Sequence, residues 1–129
     1  KPVKLILMNT TGNQNKAAGE KVSIAHTLVV TLLRLLLPPH VDNEQAAAYL
    51  QNEVTSKSNY IEWVAVRPDS LTNRDQTTPY DVYPSPVRDA IFNSGETSRI
   101  NVAHFMIELI TQPELWQKWK GNLPVIYNR

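Results

Sequence analysis

The sequence predicts an α/β fold: a mainly parallel sheet flanked by helices. Three short apolar runs, Val3–Met8 (VKLILM), Ile61–Arg67 (IEWVAVR) and Leu123–Tyr127 (LPVIY), have the length and continuity of strands covered on both faces. Segments of helical periodicity separate them, as crossovers between parallel strands require. The resulting order, β-α-α-β-(β-β)-α-α-β, is that of an alternating α/β domain.

Each element has a local cause. Val3–Met8 runs into the polar turn Asn9-Thr10-Thr11-Gly12 and then the loop Asn13–Glu20. From Lys21 to Leu37 the positions Val22, Ala25, Val29, Leu32, Leu33 and Leu36 follow helical spacing, and Pro38-Pro39 closes that helix. Asp42, with Gln45 three residues on, reads as the N-cap of a capping box opening a helix over Asn43–Val54 that buries Ala46, Ala47, Leu50 and Val54. After the polar stretch Thr55–Asn59 comes the strand Ile61–Arg67. Pro68 ends it, since proline cannot donate to a ladder and biases Arg67 towards extended geometry. Arg74–Pro86 reads as irregular, with short strands expected at Tyr80–Tyr83 and Thr97–Ile100. Asn101 is expected to cap a helix over Val102–Ile110. Pro113 opens one more through Trp119, and Gly121 stops it. Trp63, Trp116 and Trp119 read as packing residues, the last two sharing a helix face at i,i+3. His104, in an apolar helix, reads as a core histidine rather than a ligand.

Size and composition remove several classes of function. A chain of 129 residues with 42% hydrophobic content is the size of one ordinary domain. The net charge of +1 comes with scattered basic residues, so nucleic acid is not an expected partner. Without cysteine there is no disulfide or thiolate chemistry, which is compatible with the cytoplasm, the expected location. The chain opens Lys1-Pro2-Val3-Lys4 with no secretory pattern. The apolar run Val22–Leu37 carries His26 and Arg34 and falls short of the about 20 residues a membrane span needs; a buried helix or an oligomer contact is expected instead. The only glycines are Gly12, Gly19, Gly95 and Gly121, so no G-x-G-x-x-G phosphate loop exists. No histidine pair has metal-ligand spacing, and nothing resembles a nucleophile elbow, so neither a metal site nor a Ser-His-Asp arrangement is expected.

In open α/β sheets, ligands bind just beyond the carboxyl ends of the strands. Two segments follow such ends. Asn9, Thr10 and Thr11 form either a polar lip for a ligand or plain turn chemistry. Arg67-Pro68-Asp69-Ser70-Leu71 is either a ligand-contacting turn or a strand terminator. His40 has a side chain that ordinarily titrates near neutrality and is a candidate general acid; the competing reading is a surface residue between a Pro-Pro break and an N-cap.

The succession MNTTG after a strand, DNEQAAAYL on a helix, WVAVRPDSL, SRINVAHFMIELI and a final PVIYN resembles the second half of atypical short-chain dehydrogenase/reductase proteins, single-domain Rossmann proteins described as NAD(P)-binding or NmrA-like. The resemblance covers essentially all 129 residues. It implies that residues 1–129 are the C-terminal portion of one NAD(P)-binding Rossmann-like domain, whose glycine-rich N-terminal half is absent. The chain would then be a fragment, a truncated form, or one of two complementary polypeptides. NAD or NADP is the implied cofactor, its binding requiring that missing half. Catalytic members place a Ser after the corresponding strand and a Tyr-x-x-x-Lys pair beside the nicotinamide, the Lys lowering the Tyr pKa for proton transfer. Here the Ser position falls at Asn9, beside Thr10 and Thr11, and the Tyr and Lys positions fall at His40 and Glu44; no Tyr-x-x-x-Lys occurs in the sequence. Asn9, Thr10 and His40 are therefore the candidate catalytic residues, and Thr11, Arg67, Pro68, Asp69, Ser70 and Leu71 the candidate cofactor contacts. Two functions follow from the resemblance: an oxidoreductase-like protein supplying the nicotinamide end and substrate pocket, acting on an unknown small molecule, or a non-catalytic NAD(P)-sensing regulator of the NmrA type. A purely structural or interaction module rests only on the apolar helix Val22–Leu37.

Overall fold

The computed structural model describes residues 2–129 except 14, 16, 17, 21–23, 37, 56 and 57; the side chains of 26, 33–36 and 38–40 are also outside the description. In chain order the elements are β1 (Val3–Met8), α1 (Ile24–Leu36), α2 (Pro38–Tyr49) with a π-helical turn over Leu50–Val54, β2 (Ile61–Pro68), β3 (Ser70–Thr72), β4 (Tyr80–Tyr83), β5 (Glu96–Ser98), α3 (Arg99–Thr111), α4 (Pro113–Trp119) and β6 (Val125–Asn128). Among the described residues the main sheet has the order β1-β2-β6-β4, and β3 pairs with β5 in a separate two-stranded ribbon.

β2 is central because both of its faces are apolar. It runs parallel to β1 from Val3↔Ile61 to Met8↔Val66 and parallel to β6 at Arg67↔Val125 and Pro68↔Ile126. Side chains alternate across a strand, so Val64 and Val66 face one way and Trp63 and Ala65 the other. On the first side they meet Val102, Phe105 and Leu109 of α3, Trp116 and Trp119 of α4, and Ile126. On the second side Trp63, Ala65 and Leu123 meet Ala47, Leu50 and Val54. The Trp63 indole N–H donates to Thr55 Oγ1 at 2.9 Å, so burial leaves its polar atom satisfied. All three tryptophans are packing residues, as the sequence predicts.

The amino-terminal end of the sheet is held by charge. Lys4 Nζ donates to the Leu109 and Ile110 carbonyls at the end of α3, at 3.3 and 3.1 Å, and stands 4.6 Å from the centroid of the Trp116 ring. This meets both the unpaired carbonyls of a helix C-terminus and the ring's negative face. Glu62 accepts from Trp116 Nε1 at 2.6 Å and from Lys120 Nζ at 2.9 Å. The hydrogen bond from Lys120, and then that from Trp116, hold the Glu62 carboxyl below its ordinary range.

Several boundaries and environments depart from the sequence expectation. Pro38-Pro39 opens α2 as well as following α1, because a proline in the first helical turn lacks only an N–H that has no partner there. Asp42 consequently lies inside α2 and does not cap it. β2 continues through Pro68, whose carbonyl accepts from Thr11 N at 3.2 Å; proline removes a donor but leaves its acceptor. α3 begins two residues before Asn101, with Ser98 as its N-cap accepting from Asn101 N at 3.3 Å. Asn101 instead forms a buried hub bonded to Thr78 and Asn128. The tight turn after α4 places Gly121 at φ +74°, a conformation that favours glycine. β4 is antiparallel to β6, so the sheet is mainly rather than wholly parallel.

The apolar surface of α1 departs from the buried helix, one of the two alternatives expected for this run, and leaves the oligomer contact open. Its Ile24, Leu28 and Leu32 form an i, i+4, i+8 stripe that is exposed, not buried. The expected positions Val22 and Leu33 lie outside the described residues or side chains, as do Leu36 and the flanking Lys21 and Leu37. β1 is an edge strand among the described residues, and its Val3, Leu5 and Met8 are exposed as well. His104 sits on the outer face of α3, 45% exposed, and is not a core histidine: the buried face runs through Val102, Phe105 and Leu109, which leaves position 104 outward.

The Glu62 arrangement predicts a pH-dependent contribution to stability. A carboxyl whose folded pKa is lowered stabilises the fold above its unfolded value, and that contribution is lost as pH falls through the folded value. Replacing Glu62 with Gln is expected to lower Tm near neutrality, and the gap from the native chain should close in acid. Thermal melts across pH check this; a gap that stays constant down to about pH 2 would contradict it.

Candidate functional site

The carboxyl ends of β1 and β2 lie side by side, and the polar segments that follow them remain paired. Asn9 N donates to the Val66 carbonyl at 2.7 Å and Thr11 N to that of Pro68 at 3.2 Å, so the chain beyond β1 keeps running beside β2. The loop then folds back on its own side chains. Asn9 Oδ1 accepts from Thr10 N and from Asn13 Nδ2, both at 2.8 Å, and Asn9 Nδ2 donates to the Asn43 carbonyl of α2 at 3.0 Å. Gly12 N donates to Thr10 Oγ1 at 3.3 Å, and Asn15 Oδ1 accepts from Gln51 Nε2 at 2.8 Å. These are the turn-forming uses of Asn and Thr side chains, applied to a loop whose Asn9, Thr11, Asn13 and Asn15 are all buried.

Arg67 ties this loop to the sheet. Its side chain is fully buried and its donors are directed inwards: Nε to the Leu123 carbonyl at 2.8 Å, one terminal nitrogen to the Asn13 carbonyl at 2.9 Å, and both terminal nitrogens to Glu20 at 3.0 and 2.7 Å. The Glu20 side chain is itself only 7% exposed and also accepts from Asn15 N at 2.6 Å. A bidentate guanidinium–carboxylate pair with further hydrogen bonds is the arrangement that offsets the cost of burying two charges.

The turn after β2 is fixed by Asp69. Its Oδ2 accepts from Gly95 N at 2.8 Å and its Oδ1 from Ser70 N at 3.0 Å, while Asp69 N donates to Thr97 Oγ1 at 3.2 Å. Gly95 must lack a side chain, since a Cβ there would stand 2.6 Å from the Tyr127 ring. Tyr127 is buried, with the backbone of Arg88 and Val87 beside its hydroxyl. Burial, followed by the charge of Asp69, pushes its phenol above the ordinary range. Among the described residues, Asn13 Oδ1 is a buried polar atom without a partner.

Thus Asn9, Thr10, Thr11 and the segment Arg67–Leu71 are brought together at one end of the sheet. Their side chains are not equally available. The Asn9 amide and the Arg67 guanidinium are engaged internally, Pro68 is buried, and Leu71 packs against the core of α3 and α4. Thr10 and Asp69 are partly exposed, and Ser70 is exposed. The backbone of His40 lies in α2, and its side chain falls outside the description. Sequence reasoning missed Asn13, Glu20, Gly95 and Tyr127. One signal was present: an arginine within an apolar strand needs a carboxylate partner, and Glu20 closes the loop after the neighbouring strand.

A protein-family profile described as NAD(P)H-binding matches residues 3–113. No curated protein matches the chain. Among solved structures, the oxidoreductase ylbE from Lactococcus lactis superposes with a TM-score of 0.60 at 18% identity, over 96% of this chain and 45% of that one. A wide-type short-chain dehydrogenase/reductase from Veillonella parvula, in complex with NADP, gives 0.54 at 16% identity, over 95% and 49%. The chuY protein from E. coli gives 0.60 at 15% identity, over 95% and 55%. Likeness at these identities speaks to the fold, and the chain spans about half the length of these structures.

Removing one member of the buried ion pair strands the other. Glu20→Ala is expected to destabilise the chain by about 3–5 kcal/mol, whereas a double Glu20→Leu, Arg67→Met variant should recover much of that loss. Urea unfolding of the three proteins measures both, and a mild effect of Glu20→Ala would show that the pair does not hold the loop.

Proposed function

Because the chain belongs to the NAD(P)H-binding family, we propose that it contributes the nicotinamide end and substrate-pocket half of a dinucleotide site in an oxidoreductase-like protein. The observation that carries this reading is the pairing of Thr11 N with the Pro68 carbonyl, which places the segment Asn9–Thr11 against the turn Arg67–Leu71 at the carboxyl end of a parallel sheet. That is where an open α/β sheet receives a ligand. Thr10, Asp69, Ser70 and backbone groups of the turn are the contacts we assign to the ligand. Asn13 Oδ1, unpartnered among the described residues, supplies further hydrogen-bonding capacity beside Arg67. Hydride transfer is the chemistry the dinucleotide supplies when bound, with the chain providing orientation.

A regulator of the NmrA type is the second reading, and a specific observation favours it. The sequence has no Tyr-x-x-x-Lys pair, and Asn9, at the position of the catalytic serine, has both ends of its amide engaged. Turnover of a panel of carbonyl substrates with NADH or NADPH separates the two. Nucleotide binding without turnover selects the regulator.

The turn offers a direct test of the ligand's location. Asp69 pins Gly95, so Ser70 is the position to change. Ser70→Trp in the complete protein is expected to weaken NAD(P) binding about tenfold or more, a loss of about 1.4 kcal/mol or more, with Tm unchanged. Calorimetric titration with NADH and NADPH measures it. Unchanged affinity in a folded variant would place the dinucleotide elsewhere.

The glycine-rich phosphate cradle is absent from this sequence, so dinucleotide binding on this reading needs a complementary segment. We assign its seat to the edge that β1 presents among the described residues, where Val3, Leu5 and Met8 are exposed. The 129 residues by themselves are accordingly expected to self-associate or to expose dye-binding apolar surface. Sedimentation at micromolar concentration tests this, and a cooperative monomer that binds no dye would overturn it.

A further inference from the structure

Tyr80, His104 and Glu108 come together where β4 meets the outer face of α3, and the dinucleotide reading uses none of them. His104 and Glu108 stand one helical turn apart on the same face. Tyr80 opens β4 and brings its phenol between them. The phenol oxygen is 2.9 Å from His104 Nδ1 and 2.7 Å from Glu108 Oε2, and those two atoms are 3.6 Å apart. The other Glu108 oxygen accepts from Gln112 Nε2 at 3.1 Å. Among the described residues no lysine or arginine pairs with Glu108, so its charge faces a phenol, an amide and an imidazole. The two α3 side chains are 45% and 31% exposed, which leaves the cluster open to solvent.

We propose that Tyr80, His104 and Glu108 form a binding site for a divalent zinc-like metal ion. The three donor atoms form a triangle with a circumradius of about 1.8 Å, smaller than the ~2.0–2.2 Å of Zn–N and Zn–O bonds. An ion about 1 Å above the triangle's plane is therefore within bonding distance of all three donors; a shift of the phenol by some tenths of an ångström opens its two narrow angles towards tetrahedral, and water completes the shell from the open side. A neutral imidazole with oxygen donors suits zinc and copper, and copper binds such sets more tightly. On binding, the imidazole carries its proton on Nε2. The phenol proton now given to Glu108 is released to water as the ion binds, leaving a phenolate donor. No three His, Cys, Asp or Glu side chains converge among the described residues; the tyrosine supplies the third donor, so the site is a weak one. The bound ion would tie the edge strand β4 to the helix that covers the core.

The test is calorimetric titration of the purified full chain with ZnCl2, with MgCl2 as the control. One zinc per chain and no magnesium binding are expected. His104→Ala and Glu108→Gln should each weaken zinc binding at least tenfold, and His26→Asn with His40→Asn should leave it unchanged. With CuCl2 the native chain should show a visible phenolate-to-copper charge-transfer band that Tyr80→Phe removes. Zinc-induced NMR shifts in the native chain, centred on residues 80, 104 and 108, provide the same test without a substitution. No zinc binding, binding that survives His104→Ala, or shifts centred elsewhere would overturn the proposal.

Discussion

The buried pair of Arg67 and Glu20 is the constraint on which the carboxyl end of the sheet depends. Arg67 sits in the central strand, between the loop that follows β1 and the segment that leads into β6, and its donors reach both. A charged group at that depth requires a partner, and the partner lies 47 positions earlier in the chain. Satisfying it obliges the polar loop to fold over the strand ends. Once the loop is there, its asparagines reach α2 and the π-helical turn. One electrostatic requirement thus fixes the position of a segment that has no regular secondary structure of its own.

This constraint also decides which groups are offered to a ligand. The most polar residue of the turn, Arg67, is the least available, while Asp69 spends its carboxylate on the backbone of Gly95 and Ser70. What faces outwards is a threonine, a serine, part of Asp69 and backbone. Such a surface suits a neutral or amide-bearing group better than a phosphate.

The sheet was legible because its strands are apolar runs of the right length, and the two-sided covering of β2 is what continuous hydrophobicity implies. The helix boundaries around Pro38 and Asn101 were not. Proline is permitted at a helix start as readily as after a helix end, and Ser98 and Asn101 are both acceptable caps, so composition alone leaves the frame open. β4 was readable at Tyr80–Tyr83, but its antiparallel direction was not: pairing direction is set by the tertiary path of Arg74–Pro86, which local pattern does not encode. In the candidate site, the location was readable from the switch from apolar to polar residues, but the division between structural and available side chains depends on long-range contacts. His104 shows the same limit, since a helix covered on one face exposes its other face however apolar its sequence is.

The distribution of tryptophan has a spectroscopic consequence. Trp63 lies beneath α2 and its π-helical turn, whereas Trp116 and Trp119 lie on the opposite side of the sheet against α3. All three are shielded from water, and each side has its own set of partners. Intrinsic fluorescence of the native chain is therefore a composite of two separate apolar layers. Single-tryptophan variants divide it into independent reporters: Trp63 registers loosening of the layer under α2, and Trp116 and Trp119 register loosening of the layer under α3.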